Sequence, residues 1–148
     1  CTKMAKAFLD AVGASSGPLY AGAFNTGGKA VSERLNLDAA ATAAWVEGML
    51  KGILGRGGAN PGDKTMIDAW LPAAEAAKAA TDDGADAVGV MQAATDGARD
   101  GAQATKDMES RRGRSKKLGA RSVGHVDPGA ASAHVMLEAM TDALRSAL

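Results

Sequence analysis

Aromatic side chains are scarce in this chain: two tryptophans, two phenylalanines and one tyrosine among 148 residues. Set against abundant alanine and 19 glycines, that scarcity favours closely packed helices with small interfacial residues over a sheet, whose faces draw on aromatics. Cysteine is nearly absent too. Cys1 stands alone, which excludes an internal disulfide and a cysteine-based metal site and fits a reducing compartment. Net charge is missing, because 17 Lys plus Arg offset 17 Asp plus Glu, so bulk charge draws in neither nucleic acid nor an anionic membrane. No apolar run approaches the roughly 20 residues that span a bilayer, and no charged-then-apolar leader is present. The chain reads as soluble and cytoplasmic, and its length suits one domain with a real core. Neither a sequence repeat nor a strand-like alternation of useful length can be traced. No nucleophile carries a recognisable elbow or partner motif, and His125 and His134 lack metal-ligand spacing, so no catalytic or metal set is assigned.

What the chain does contain is helical periodicity broken by small-residue turns. Thr2 to Val12 carries apolar spacing through Met4, Phe8 and Val12, so the chain opens in mid-helix and looks like the later part of something longer. A second helix runs from Pro18 through Leu19, Ala23 and Phe24 until Gly27-Gly28 weakens or ends it. Asp38 can cap a third, with Trp45, Met49 and Ile53 as its inner stripe. Asp63 is placed to cap a fourth, carrying Met66, Ile67, Trp70 and Leu71 and kinked at Pro72. A fifth presents Val88, Met91, Thr95, Ala98, Ala102 and Thr105 inward. After a basic loop over 110–126, Asp127 and Pro128 open a sixth, whose stripe is Met136, Met140 and Leu144. The expected fold is all-α, an up-and-down antiparallel bundle of about six helices.

The chemistry-bearing residues fall in the connections. Val12-Gly13-Ala14-Ser15-Ser16-Gly17-Pro18 is a small-residue turn opening into a helix, where backbone N–H groups, two hydroxyls and the positive end of the helix dipole make a phosphate cradle. Taken alone, the stretch reads more plainly as a tight helix–helix connection with serine caps. In an up-and-down bundle, connections an even number of helices apart emerge at the same end. The turn at 13–17, the loop at 55–63 and the basic segment carrying Arg114 and Arg121 therefore share one rim. Together they offer N–H groups, hydroxyls and guanidinium cations, which suits a polyphosphate. Each has a plainer reading, Asp63 and Asp127 as helix caps and the arginines as a solvated loop.

Three ordered motifs carry a family resemblance: Val12-Gly13-Ala14-Ser15-Ser16-Gly17-Pro18-Leu19-Tyr20, then Pro61-Gly62-Asp63-Lys64-Thr65-Met66 with Asp68-Ala69, then Gly113-Arg114 followed by Leu118-Gly119 and Arg121 to Ala130. The sequence resembles the nucleotide-binding L subunit of dihydroxyacetone kinase, across essentially all of this chain but only the later part of the family's domain. The resemblance implies a barrel of eight antiparallel helices that binds ADP or ATP at one end, with residues 1–148 forming a single such domain short of its first helices. It implies that Ser15 and Ser16 bind phosphate, that Gly57, Thr65 and Met66 help form the pocket, and that Arg114 and the Asp127-Pro128-Gly129 turn complete it.

The same resemblance implies a kinase subunit. In the phosphotransferase-dependent branch, which the wording fits best, the nucleotide stays bound, a phospho-carrier M subunit rephosphorylates it, and the phosphoryl group passes to dihydroxyacetone held on a histidine of a separate K subunit. Neither His125 nor His134 inherits that role. A homodimer is compatible with the resemblance. The family's aspartate-rich motif, which supplies the Mg2+ ligands, lies before the first motif, and nothing here matches it. The expectation is that those ligands belong to a preceding segment and that this chain alone is not a competent kinase. Lys116, Lys117 and Ala120 also depart from the family's usual lid residues. The competing readings are a non-catalytic nucleotide-binding or regulatory module of the same fold, and the ATP domain of an ATP-dependent dihydroxyacetone or fatty-acid kinase.

Overall fold

The computed structural model describes residues 1–13 and 15–147; Ala14 of the first turn and Leu148 lie outside the described residues. Regular structure among the described residues is all helical: α1 (Thr2–Ala11), α2 (Ser16–Ala30), α3 (Ala39–Gly57), α4 (Ile67–Asp82), α5 (Ala87–Ala104) and α6 (Pro128–Ala147), with 3-10 turns at Thr105–Asp107 and Arg114–Ser122. Three aspartates start helices by accepting from the first-turn backbone. Asp38 takes Ala41 N–H at 2.7 Å, Asp86 takes Gly89 N–H at 2.8 Å and Asp127 takes Ala130 N–H at 2.8 Å, each satisfying a donor that the helix itself leaves unpaired.

Consecutive helices run antiparallel, and glycine sets how closely they approach. A Cβ at Gly48 would sit 2.8 Å from Gly27 Cα, and one at Gly52 would fall on the Gly22 carbonyl and 2.7 Å from Ala23 Cα. As numbers fall along α2 they rise along α3, the signature of antiparallel neighbours in backbone contact. The same sum rule joins α4 to α5, where Gly97 faces Pro72 and Gly101 faces Asp68 and Ala69. It joins α5 to α6 through a buried Thr95–Thr141 hydroxyl pair at 2.8 Å and an Arg145–Gln92 bond at 2.9 Å. Phe8 of α1 rests on Tyr20 and Phe24 of α2, with ring centroids 5.2 and 5.7 Å away. The up-and-down bundle expected from the sequence is the observed architecture, and its core runs through Tyr20, Val46, Met49, Ile53, Ile67, Trp70, Val90 and Leu137.

Several local expectations are corrected. Gly27-Gly28 does not end α2, which continues to Ala30; Gly27 is where Met49 and Trp45 press against the helix, and Gly28 is where Cys1 does. The proline expected inside the fourth helix is found there, Pro72 within α4, and the Asp68 carbonyl that its missing N–H would have engaged faces the bare Cα of Gly101. The inner stripe of α5 begins with buried Ala87 and fully buried Val90, with Val88 half-buried. In α6 the innermost line is Ala130, Ala133, Leu137 and Thr141. Met136, Met140 and Leu144 flank it, partly buried against the core. The basic segment is not wholly irregular: it forms 3-10 turns interrupted at Gly119, whose φ is 54°.

Candidate functional site

Because α1–α2, α3–α4 and α5–α6 are antiparallel hairpins, their three connections emerge together. They enclose a cleft of about 690 Å³ lined by Ser15, Ser16, Leu19, Ile53, Gly57, Ala59, the run Lys64 to Ile67, the run Arg112 to Ser115, and Asp127 to Gly129. All nine residues assigned to binding from the sequence, Ser15, Ser16, Gly57, Thr65, Met66, Arg114, Asp127, Pro128 and Gly129, lie on this one surface. Volumes of this order are usual for small-molecule and cofactor sites.

The first wall is the start of α2. Ser15 occupies the N-cap without a side-chain cap bond, and Ser16 Oγ donates to Gly13 O at 3.4 Å. Gly17 has no room for a side chain, since a Cβ would fall on the Val12 carbonyl. The end of α1 thus folds down onto the first turn of α2 and leaves that turn's N–H end facing the cleft. Gly57 closes α3 opposite, 3.2 Å from Leu19 Cδ2 if it carried a Cβ.

The second wall is the 58–66 loop, and here one expectation fails. Asp63 does not cap α4: Met66 holds the N-cap position without a side-chain bond. Lys64 takes φ 60°, alone among the described non-glycine residues in having positive φ, and this left-handed turn separates Asp63 from the helix start and directs its carboxylate back into the loop. There it accepts from Asn60 N–H at 2.9 Å and from Arg112 Nε at 3.3 Å. The loop's keystone is Asp68, which accepts from Gly62 N–H and from Thr65 N–H at 2.8 Å. Thr65 Oγ1 accepts from Ile67 N–H at 3.2 Å, so Thr65 performs part of the capping expected of Asp63.

The third wall is the chain from Thr105 to Gly129. Gly113, at φ 62°, turns it so that exposed Arg114 stands on the rim. Arg114 takes part in no ion pair among the described residues. Asp127 N–H donates to Thr105 Oγ1 at 2.9 Å, which fixes the turn into α6. Gly129 then comes against Met66, and a Cβ on it would lie 3.4 Å from Met66 N. Beneath the cleft, Ser132 Oγ donates to Gly129 O at 2.7 Å, so its remaining capacity is to accept from the Tyr20 hydroxyl 2.8 Å away. This chain anchors the floor to the bundle core.

Electrostatics distinguish the rim carboxylates. The Asn60 N–H, helped by Arg112, holds Asp63 below the usual carboxylate range. Burial pushes Asp127 above it, against the pull of the Ala130 and Gly129 N–H groups and the Lys64 ammonium. Burial likewise raises the Tyr20 phenol. Asp63, Asp68 and Asp127 are engaged by backbone N–H groups, and no group of three or more His, Cys, Asp or Glu among the described residues is arranged to hold a metal ion. The residues present therefore do not fit a magnesium centre.

Sequence reasoning missed Leu19, Ile53, Ala59, Ile67, Arg112, Gly113, Ser115 and Lys64 as lining residues. Ile53 read only as the last member of a core stripe; its place one turn before Gly57 is the signal that it reaches the cleft. Arg112 was hidden in the basic run, and only its bond to Asp63 across 49 positions reveals it. For Lys64 the one clue was its place between Asp63 and Thr65.

The family described as "DAK2 domain" matches residues 1–142. The chain is 36% identical over 130 residues to the PEP-dependent dihydroxyacetone kinase, ADP-binding subunit DhaL, of Escherichia coli (strain K12), covering 88% of this chain and 62% of that protein. It is 41% identical over 131 residues to the PEP-dependent dihydroxyacetone kinase 1, ADP-binding subunit DhaL, of Listeria innocua, covering 87% and 59%. An L-erythrulose 1-kinase of Mycolicibacterium smegmatis is 37% identical over 139 residues, covering 94% and 24%. Among solved structures, the dihydroxyacetone kinase of C. freundii (native form) superposes with a TM-score of 0.67 at 27% identity, over 96% of this chain and 23% of that one. The chain spans 62% and 59% of the lengths of the two DhaL relatives. No helix among the described residues is long and apolar enough to cross a membrane.

Proposed function

This chain belongs to the DAK2 domain family, and from that premise we propose that residues 1–148 form one nucleotide-binding domain, the ADP/ATP-binding subunit of a dihydroxyacetone kinase. The observation that supports the reading is the convergence of three sequence-distant connections on one cleft. The first turn of α2 would take phosphate with its N–H groups and the Ser15 and Ser16 hydroxyls. Arg114, exposed and unpaired at the rim, would supply the cation that a diphosphate requires. Leu19, Ile53 and Met66 give the base an apolar wall, and Gly57, Thr65 and the Asp127-Pro128-Gly129 turn close the pocket without crowding it.

The names of the DhaL relatives, ADP-binding subunits of PEP-dependent kinases, favour a nucleotide that stays bound and is rephosphorylated in place by a phospho-carrier M subunit. The acceptor, dihydroxyacetone, would be held by a separate K subunit, within the cytoplasm. Magnesium would come with ligands from outside the described residues.

Calorimetric titration with ADP and with adenosine in magnesium buffer tests the reading. Saturable ADP binding, with adenosine at least about tenfold weaker for want of its charge-assisted phosphate contacts, is the expected result. No heat with ADP would sink it. Formation of dihydroxyacetone phosphate on adding a dihydroxyacetone-binding partner would then test the kinase assignment.

A further inference from the structure

Lys64 bears two costs at once. Its backbone sits at φ 60°, where only glycine rests easily, and the residue is buried to 4% exposure with its ammonium withdrawn from water. Neither is needed to form a loop, and a glycine here would remove both. What the side chain obtains is specific. Its Nζ donates to Met108 O at 3.0 Å and to Ser122 O, the two feet of the arc that carries Arg114. Adjacent Asp63 grips the same arc between those feet, its carbonyl accepting from Arg111 N–H at 3.1 Å and its carboxylate from Arg112. The arc is cross-tied by Ser110 N–H donating to Ser122 Oγ at 2.8 Å and Gly124 N–H donating to Lys106 O at 2.7 Å. It buries little of its own: Arg111 to Arg114 and Lys116 to Leu118 are exposed.

We propose that Lys64 is a positioning residue, a strut whose ammonium draws the two feet of the arc together and so presents Arg114 to the cleft. The inference rests on the reading of that cleft as a nucleotide site, but the strut itself can be tested apart from it. The arc contains trypsin sites at Arg111, Arg112, Arg114, Lys116, Lys117 and Arg121, and a closed arc resists cleavage that an open one admits.

The experiment compares the wild-type chain with Lys64→Met by circular dichroism, by a trypsin time course read by mass spectrometry, and by ADP calorimetry, with Arg114→Ala and the double variant alongside. Expected are an unchanged helical spectrum, cleavage between 106 and 122 accelerated about tenfold or more, weaker ADP binding, and a double variant that binds no worse than the weaker single variant, since both changes remove the same guanidinium contact. Wild-type cleavage rates in a folded Lys64→Met overturn the proposal. So do fully additive losses with Arg114→Ala, which would make Lys64 an independent contact. Should Lys64→Met fail to fold, Lys64→Gln, which keeps one N–H donor, is judged by the same two readouts. If the wild-type chain binds no ADP, the nucleotide reading fails while the trypsin result still decides the strut.

Discussion

Replacing Gly52 with alanine should pry α2 from α3. The new methyl would fall on the Gly22 carbonyl oxygen, with Gly22 C and Ala23 Cα each 2.7 Å away, and all three atoms are backbone that cannot rotate aside. Overpacking of this kind costs about 1–3 kcal/mol, and a contact made wholly with backbone belongs at the upper end. Alanine returns about 0.5–1 kcal/mol by favouring the helix. The net loss is thus about 2 kcal/mol. Gly55 is the internal control: it lies in the same helix but would meet nothing within 4 Å, so Gly55→Ala should gain about 0.5–1 kcal/mol. At about 3 °C per kcal/mol for a chain of this size, thermal melts followed by circular dichroism should place Gly52→Ala about 6 °C below wild type and Gly55→Ala about 2 °C above it. The separation would also draw Ser15 and Ser16 away from Gly57, so ADP affinity should fall with Gly52→Ala alone. A Gly52→Ala protein as stable as Gly55→Ala would refute the backbone-contact account of the α2–α3 pair.

Other expectations are narrower. Arg114→Ala should weaken ADP binding by tenfold or more, the usual worth of about 1.5–3 kcal/mol for a charge-assisted bond, with the melting temperature unchanged because the side chain is exposed; unchanged affinity by calorimetry would remove Arg114 from the site. Asp38→Ala should cost about 1 kcal/mol through loss of the α3 cap, and a melt indistinguishable from wild type would contradict that. Asp63 and Asp127 should respond to pH in opposite senses. The folded-state pKa of Asp63 is lowered, so its stabilisation is present above the unfolded value of about 3.9 and is lost as pH falls through the folded one. That of Asp127 is raised, so its ionised form weakens the fold above that pKa, and the penalty is lifted as pH falls towards about 3.9. Relative to wild type, Asp63→Asn should therefore gain on acidification and Asp127→Asn should lose, and parallel melting curves across pH 3–7 would contradict both assignments.

Much of this was legible in the sequence because helices advertise their starts. Asp38 and Asp127 each precede a run of small or apolar residues, and each caps as read. The rim was legible because antiparallel connectivity dictates which connections share an end. What stayed hidden depends on partners far along the chain. Asp63 looks like Asp38 in local sequence, yet Lys64 turns the chain beyond it and Arg112 holds its carboxylate. Gly27 looks like a helix breaker until Met49 is found against it. The α6 stripe was read one position away from its true line because methionine outranks alanine and threonine in hydrophobicity, and the Thr95–Thr141 hydroxyl pair that buries Thr141 depends on a partner in another helix.

The cleft draws its surface from both ends of the chain and from its middle, and no single hairpin owns it. A ligand seated there is a non-covalent cross-link: it joins α2, α4 and α6 at one end and restricts the loops between them. Its binding energy is then added to the folded state as a whole, as RT ln(1 + [L]/Kd), and not to one local segment. Amide exchange should slow on saturation in helices that never touch the ligand, α1 and α5, wherever exchange proceeds through global opening. Occupancy would thereby decide how long the chain survives proteolysis.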